Sequence, residues 1–296
     1  FRMLMTTQNL FSQKIVHTRN KIHFISLGCS RNLVDSEVML GILLKAGYEA
    51  TDQLANADYL ILNTCAFLKA ARDEGKAYLQ RLIQEKKKGA KIILTGCMVS
   101  KHKSELEPWL PYIHYLLGSG DVEHILEAIE SKEKGESISA KSYLEIGEVP
   151  RKLSTPKHYA YLKVSEGCKK QCAFCIIPAI KGKLRSKPVE QVLKEVRLLL
   201  SSGIKEIILI AQDLGDYGKD FSSDRSSQLE YLLKEIQAPF VVKFDSDDYT
   251  KAQLKVEVAV KSAKVRIVTL DSVEIIYSAL FTVSAFSSGE LSVIEK

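Results

Sequence analysis

Three short apolar runs, each closed by a cysteine, constrain this chain more than any other feature: "KIHFISLGC" ends at Cys29, "YLILNTC" at Cys65 and "KIILTGC" at Cys97. Runs of this length, rich in Ile and Leu and separated by amphipathic stretches, read as buried strands of a parallel sheet flanked by helices. The intervening stretches fit that reading. Leu33 to Lys45 predicts a helix stopped at Gly47, and Phe67 to Lys88 predicts a second stopped at Gly89. In an open α/β sheet the carboxyl ends of the strands form the crevice where ligands bind. Three cysteines far apart in sequence are therefore expected to meet at one sheet edge, where Gly28 and Gly96 let the backbone turn sharply. Any one of them alone reads as a small buried hydrophobe. Taken together, they read as thiolate ligands.

The remaining cysteines crowd into one stretch, "SEGCKKQCAFC", which places Cys168, Cys172 and Cys175 at the spacing C-x3-C-x2-C. A structural zinc site wants four protein ligands, and the nearest His, His158, lies upstream of a predicted strand. A four-iron cubane takes one ligand per iron, so three thiolates leave one iron open to a small molecule that offers amino and carboxyl groups. With these two groups, all six cysteines of the chain are used.

At 296 residues the chain is long enough for two domains, and 46% hydrophobic with 26% charged residues is the balance of a globular protein. No span is apolar enough to cross a bilayer, and residues 1–20 read as a leader without the features of a secretion signal. The expected compartment is a reducing cytoplasm, where these cysteines would not form structural disulfides. A net charge of +6 permits direct RNA binding without demanding it, and its one tight basic run, "KKK" at 86–88, reads as the solvated end of a helix. "GSGD" at 118–121 reads as a loop with Asp121 as N-cap of the helix "VEHILEAIE". From Ser131 to Pro156 the chain turns polar, with "YLEIG" its one patterned piece, and reads as a linker. A second α/β pattern then opens with "YAYLKVSEGC", continues through the helix "PVEQVLKEVRLLLSSG" and reaches the strand "KEIILIAQD". Past Gln237, "LKVEVAVKSAKVRIVTL" alternates like antiparallel strands.

The C-x3-C-x2-C spacing with Phe174 before its last cysteine resembles the signature of radical S-adenosylmethionine enzymes. With the three upstream strand-end cysteines, it resembles the methylthiotransferases. "SLGCSRNLVDSE" at 26–37 and "SEGCKKQCAFCIIP" at 165–178 are similar to the branch of that family that modifies an aspartate of a small-subunit ribosomal protein. The resemblance implies two 4Fe-4S clusters, an auxiliary one on Cys29, Cys65 and Cys97 and one on Cys168, Cys172 and Cys175 that binds S-adenosyl-L-methionine, with Phe174 and Gln212 beside that cofactor. It implies hydrogen abstraction by a 5'-deoxyadenosyl radical, insertion of a methylthio group, and an electron donor such as flavodoxin or ferredoxin. The implied architecture is an N-terminal open parallel-sheet α/β domain (21–138), a linker (139–158) and a truncated radical S-adenosylmethionine α/β barrel (159–237). A divergent β-rich tail (238–296) matches neither the later barrel strands nor the family's small C-terminal β domain. The family's "RG" and "SRP" elements stand here as Lys181-Gly182 and Ser186-Lys187-Pro188, so two arginines have become lysines. Two rival readings are a tRNA methylthiotransferase acting on a modified adenosine, and a non-catalytic iron-sulfur or metal-binding remnant with an incomplete barrel.

Overall fold

The computed structural model describes residues 20–139, 144, 150–170, 172–221 and 223–237, and beyond them the backbone of the strands 240–243, 257–260, 264–268, 283–285 and 291–293. The leader, but for its last residue, and "YLEIG", apart from Leu144, lie outside the described residues.

The first sheet is fully parallel. It contains β1 (Lys21–Ser26), β2 (Glu49–Ala50), β3 (Tyr59–Thr64), β4 (Lys91–Gly96), β5 (Tyr115–Gly118) and β6 (Gly135–Ser137), in the order β2-β1-β3-β4-β5-β6. Leu60, Ile61, Leu62, Ile92, Ile93 and Leu94 are wholly buried, because helices cover both faces. Leu60, Leu62, Ile92 and Leu94 pack with Leu79 and Leu82 of α2 (Lys69–Glu85). Ile61 and Ile93 face the other way, onto Val38, Met39 and Leu43 of α1 (Ser30–Lys45) and Ile125 and Ile129 of α4 (Ile125–Glu130). Each such side chain stabilises the fold by about 1.5–3 kcal/mol. The strand order reverses between β1 and β3, and that switch point is where ligands bind in sheets of this type.

Several expectations need correction. β1 is half-buried rather than buried, since its outer neighbour β2 is only two residues long. The polar stretch after Ser131 is not all linker, because Gly135–Ser137 adds the sixth strand. Asp121 makes no capping bond. Its carboxylate instead accepts from Ser139 N (2.8 Å), Ser139 Oγ (2.6 Å) and Ser137 Oγ (3.2 Å), fastening the chain that follows β6 to the end of β5.

The second sheet, ordered β11-β12-β13-β10-β7, has a parallel half made of β7 (Tyr159–Lys163), β10 (Glu206–Ile210) and β13 (Lys264–Val268). β11 (Phe240–Lys243) and β12 (Glu257–Val260) join it antiparallel. The tail strand β13 therefore pairs with β10. One face of β7 and β10 is packed by α6 (Val189–Ser201) and α7 (Leu229–Gln237), through Val192, Val196, Leu232 and Ile236. On the other face Ile208 and Ile210 meet Val34, so α1 serves both sheets. No helix among the described residues is long and apolar enough to cross a membrane.

Candidate cluster sites

Cys29 is the residue before α1, Cys65 directly follows β3, and Cys97 opens the short helix α3 (Cys97–Lys101) directly after β4. The three strands are neighbours that end close to one level, so the topology brings the three cysteines to one edge of the sheet. A Cβ on Gly28 would lie 3.1 Å from Cys65 Sγ and 2.6 Å from its Cβ, and one on Gly96 would lie 2.3 Å from Asn63 Oδ1. Both glycines hold φ near +90°, at +92° and +99°, so a side chain there would be strained as well as crowded. These are cradles that only glycine leaves open.

The thiols sense one another. Burial pushes Cys97 up to about 12, with the charges of Cys29 and Cys65 adding to it. Burial also raises Cys65. At Cys29 burial acts in the same direction, but Arg31, the N–H groups of Asn32 and Arg31 and the charge of Lys181 outweigh it and hold the thiol below its ordinary value. Such a set favours a cation or a cluster that accepts thiolates. Among the described residues no three His, Cys, Asp or Glu side chains close around one metal ion. A cubane differs, since it receives each thiolate at a separate iron.

Asn32, Asp35, Ser36 and Glu37 of α1 are all buried, and they explain the stretch "NLVDSE". Asn32 Nδ2 donates to Leu27 O (3.2 Å) and Thr64 O (2.9 Å), the backbone just ahead of Cys29 and Cys65, while the Cys97 thiol lies 3.7 Å from its Oδ1. Ser36 receives Asn63 Nδ2 at 2.9 Å and donates to Asn32 O at 2.9 Å. Asp35 and Glu37 reach away from the first sheet. Asp35 pairs with Lys163 and, at 3.2 Å, with Lys181 of α5 (Ile177–Lys181). Glu166 completes this fully buried quartet, 3.1 Å from Lys163 and 2.7 Å from Lys181. Lys181 also donates to Ser119 O at 3.0 Å. Its three N–H groups thus meet three acceptors, which suits an ammonium better than a planar guanidinium. Burial opposes the charge on Lys181, yet Asp35 and Glu166 prevail and raise its pKa. Glu37 takes Arg151 at 2.6 Å and Ser154 N at 2.7 Å, and Arg151 continues to Glu195 of α6 at 2.9 Å. Lys187 also pairs with Glu195.

The second cysteine set lies on a loop. Cys168 follows Gly167 (φ +75°), whose Cβ would fall 2.0 Å from Lys183 O. The loop is tied by Cys168 N to Gly182 O (3.2 Å) and Cys175 N to Cys172 O (3.0 Å). Cys172 is exposed, Cys168 and Cys175 are half-buried, and Phe174 is 71% exposed. Gln212 stands just past β10, and its Oε1 is buried with no partner among the described residues, a costly state that a bound donor would relieve. Lys170 in the loop pairs with Asp213, bringing the cysteine loop to the exit of β10. Burial raises the Cys168 thiol, and Asp213 and Asp216 add to the shift. The sequence reading missed Gly167 and Asp213. A glycine before a cysteine, as at Gly28 and Gly96, was the available signal for the first, and adjacency to Gln212 for the second.

The model of the uncharacterized protein family UPF0004 matches residues 21–118, most of the first sheet. The ribosomal protein uS12 methylthiotransferase RimO of Chlamydia abortus is 77% identical over 232 residues, covering 78% of this chain and 50% of that protein. RimO of Protochlamydia amoebophila is 62% identical over 221 residues, 74% of this chain and 46% of that protein. A solved structure of the radical S-adenosylmethionine methyltransferase TsrM from Kitasatospora setae, with cobalamin and a [4Fe-4S] cluster bound, aligns at TM-score 0.48 and 12% identity, covering 73% of this chain and 52% of that one. That last likeness is too distant to carry an argument. Over its aligned residues the chain is similar to proteins named as methylthiotransferases. Its relatives there are the uS12 methylthiotransferases named RimO, and the chain spans about half the length of the curated relatives it matches.

Proposed function

We propose that this chain adds a methylthio group to the β-carbon of an aspartate in the small-subunit ribosomal protein uS12. The observation that carries the reading is the convergence of Cys29, Cys65 and Cys97 at the switch point of the first sheet, beside a C-x3-C-x2-C loop held at the exit of β10. In this reading residues 21–138 and 159–237 are separate domains joined by 139–158, and the tail is an addition to the second. The upstream thiolates hold an auxiliary 4Fe-4S cluster, while Cys168, Cys172 and Cys175 hold the second, with Phe174 and Gln212 beside S-adenosyl-L-methionine. When bound, these groups supply the electron, the radical and the sulfur. The protein's own residues position them. Asn32 fixes the backbone ahead of Cys29 and Cys65, and the Asp35–Lys163–Glu166–Lys181 quartet holds one site against the other. A flavodoxin or ferredoxin is the proposed electron donor, in a cytoplasmic setting, and the net charge of +6 leaves room for contact with ribosomal RNA.

The resemblance of "NLVDSE" to the protein-modifying branch favours a protein substrate, although its polar side chains are buried in structural roles. The identity to RimO supports the same choice. A second reading, favoured by the antiparallel completion of the second sheet, keeps both cluster sites without turnover. Anaerobic reconstitution followed by dithionite, S-adenosylmethionine and a peptide copying the target loop of uS12 tests both. A methylthiolated peptide, seen by mass spectrometry, is expected. Modified tRNA with unmodified peptide would overturn the substrate assignment, and loaded clusters with no product would favour the second reading.

A further inference from the structure

The cations lodged between the two sheets are matched by carboxylates: Lys163 and Lys181 by Asp35 and Glu166, Arg151 by Glu37 and Glu195, Lys187 by Glu195. Arg31, in the first turn of α1, is the exception. Half-buried, it has no carboxylate partner among the described residues. Its side chain donates from Nη1 to Ala211 O at 2.7 Å. Ala211 immediately precedes Gln212, and Arg31 lies two residues after Cys29, close enough for its charge to reach the thiols of both Cys29 and Cys65. The guanidinium thus stands between the two cysteine sites, with most of its planar fork of donors uncommitted.

We propose that Arg31 is a specificity-determining residue that receives the side-chain carboxylate of the target aspartate. This rests on the reading of the chain as an aspartate-modifying enzyme. The reacting β-carbon is bonded directly to that carboxylate, so a bidentate grip on the carboxylate would place the carbon between the two sites. A partly desolvated guanidinium left without an anion is costly, and its planar fork matches a carboxylate. An adenosine whose modification carries no carboxylate would offer the same residue no such partner.

The test uses the full chain, reconstituted and unreduced, with a fluorescein-labelled peptide copying the uS12 loop and a second peptide in which the target Asp is Asn. Binding is read by anisotropy, beside iron content and S-adenosylmethionine affinity. Arg31→Gln should weaken the Asp peptide about ten- to a hundredfold and erase the preference for Asp over Asn. Arg31→Lys should restore part of both, with iron content unchanged in each variant. An Arg31→Gln protein that discriminates Asp from Asn as the unaltered chain does would overturn the proposal. So would loss of iron in Arg31→Gln, which would assign the residue to the auxiliary site, or a fall in S-adenosylmethionine affinity with peptide binding intact. If the unaltered chain binds no Asp peptide, the proposed function fails and the role of Arg31 falls with it.

Discussion

Cys29, Cys65 and Cys97 stand just past the ends of three adjacent parallel strands, of which β3 and β4 are wholly buried at their centres, with Asn32 bonded to the backbone ahead of Cys29 and Cys65. Cys168, Cys172 and Cys175 occupy a loop tied by the backbone bonds of Cys168 and Cys175 and by Lys170 to Asp213, with an exposed middle cysteine. The first site is shaped by the fold before anything binds. The second has its backbone aimed by Gly167 and Lys170, and its thiols lie nearer the surface, so in the proposed reading they depend more on what they would hold. Preorganised and ligand-ordered sites fail in different ways, and that difference can be tested.

The largest expected effect is on metal content. Two cubanes amount to about eight irons per chain, and replacing Cys168, Cys172 and Cys175 together by Ala should remove about half of them while leaving the first site loaded. Iron assay and electron paramagnetic resonance of the remaining cluster check this. No loss of iron, or stoichiometric zinc in the purified protein, would break the assignment of the two sites.

Next comes the joint between them. Lys181→Met would strand Asp35 and Glu166, both nearly inaccessible, without one of their two cations. Removing one partner of a buried ion pair costs roughly 3–5 kcal/mol, so chemical denaturation should show a loss of that order, with Lys181→Arg milder. A loss below about 1 kcal/mol would mean that the quartet does not hold the sheets together.

A smaller contrast lies in the glycines. Gly96→Ala puts a Cβ 2.4 Å from Thr64 O, inside the finished sheet, and should cost about 2 kcal/mol or more of global stability. Gly167→Ala meets backbone just as closely, at Lys183 O. Its loop lies outside the large cores, so its effect should appear as iron lost from the second site with little change in the denaturation midpoint. Equal midpoint shifts would show that the loop is as much part of the core as the strand ends.

Much of this was legible in the sequence, for reasons particular residues make plain. "YLILN" and "KIILT" are continuous apolar runs because both faces of β3 and β4 are covered, and the cysteines mark where those strands stop. β5 and β6 were hidden: Tyr115–Gly118 runs into a Gly-Ser-Gly turn, and Gly135–Ser137 is a three-residue polar edge whose pairing depends on its neighbour. The role of α1 was hidden too. Asp35 and Glu37 look like the solvated face of an amphipathic helix, and only the second sheet, more than a hundred residues later in the chain, turns that face into an interior. The tail's alternation was readable, but its parallel pairing with β10 is a long-range choice that local pattern does not encode.

The smallest expected effect separates the two regions by pH. Glu195 lies between Lys187 and Arg151; burial pushes its carboxyl up, but the two cations prevail and hold it below the ordinary value. A depressed carboxyl contributes stability that is present above the unfolded pKa of about 4.3 and is lost as pH falls through the lower folded value. The group so stabilised links Arg151, which Glu37 fastens to α1, with α6 of the second sheet. Beside the first sheet Lys76 lowers Glu105 and Lys87 lowers Asp58, but these side chains are all partly exposed, so their contribution is small. Acidification from neutral to below about pH 4 should therefore loosen the second sheet before the first. Pepsin should cut near Arg151 and α6 at a pH where the first sheet still resists, and Glu195→Gln should flatten that acid response while lowering resistance at the milder end. An unchanged pH profile in Glu195→Gln, or first cleavage within β3 or β4, would show that acid lability belongs to the preorganised sheet and reverse the comparison.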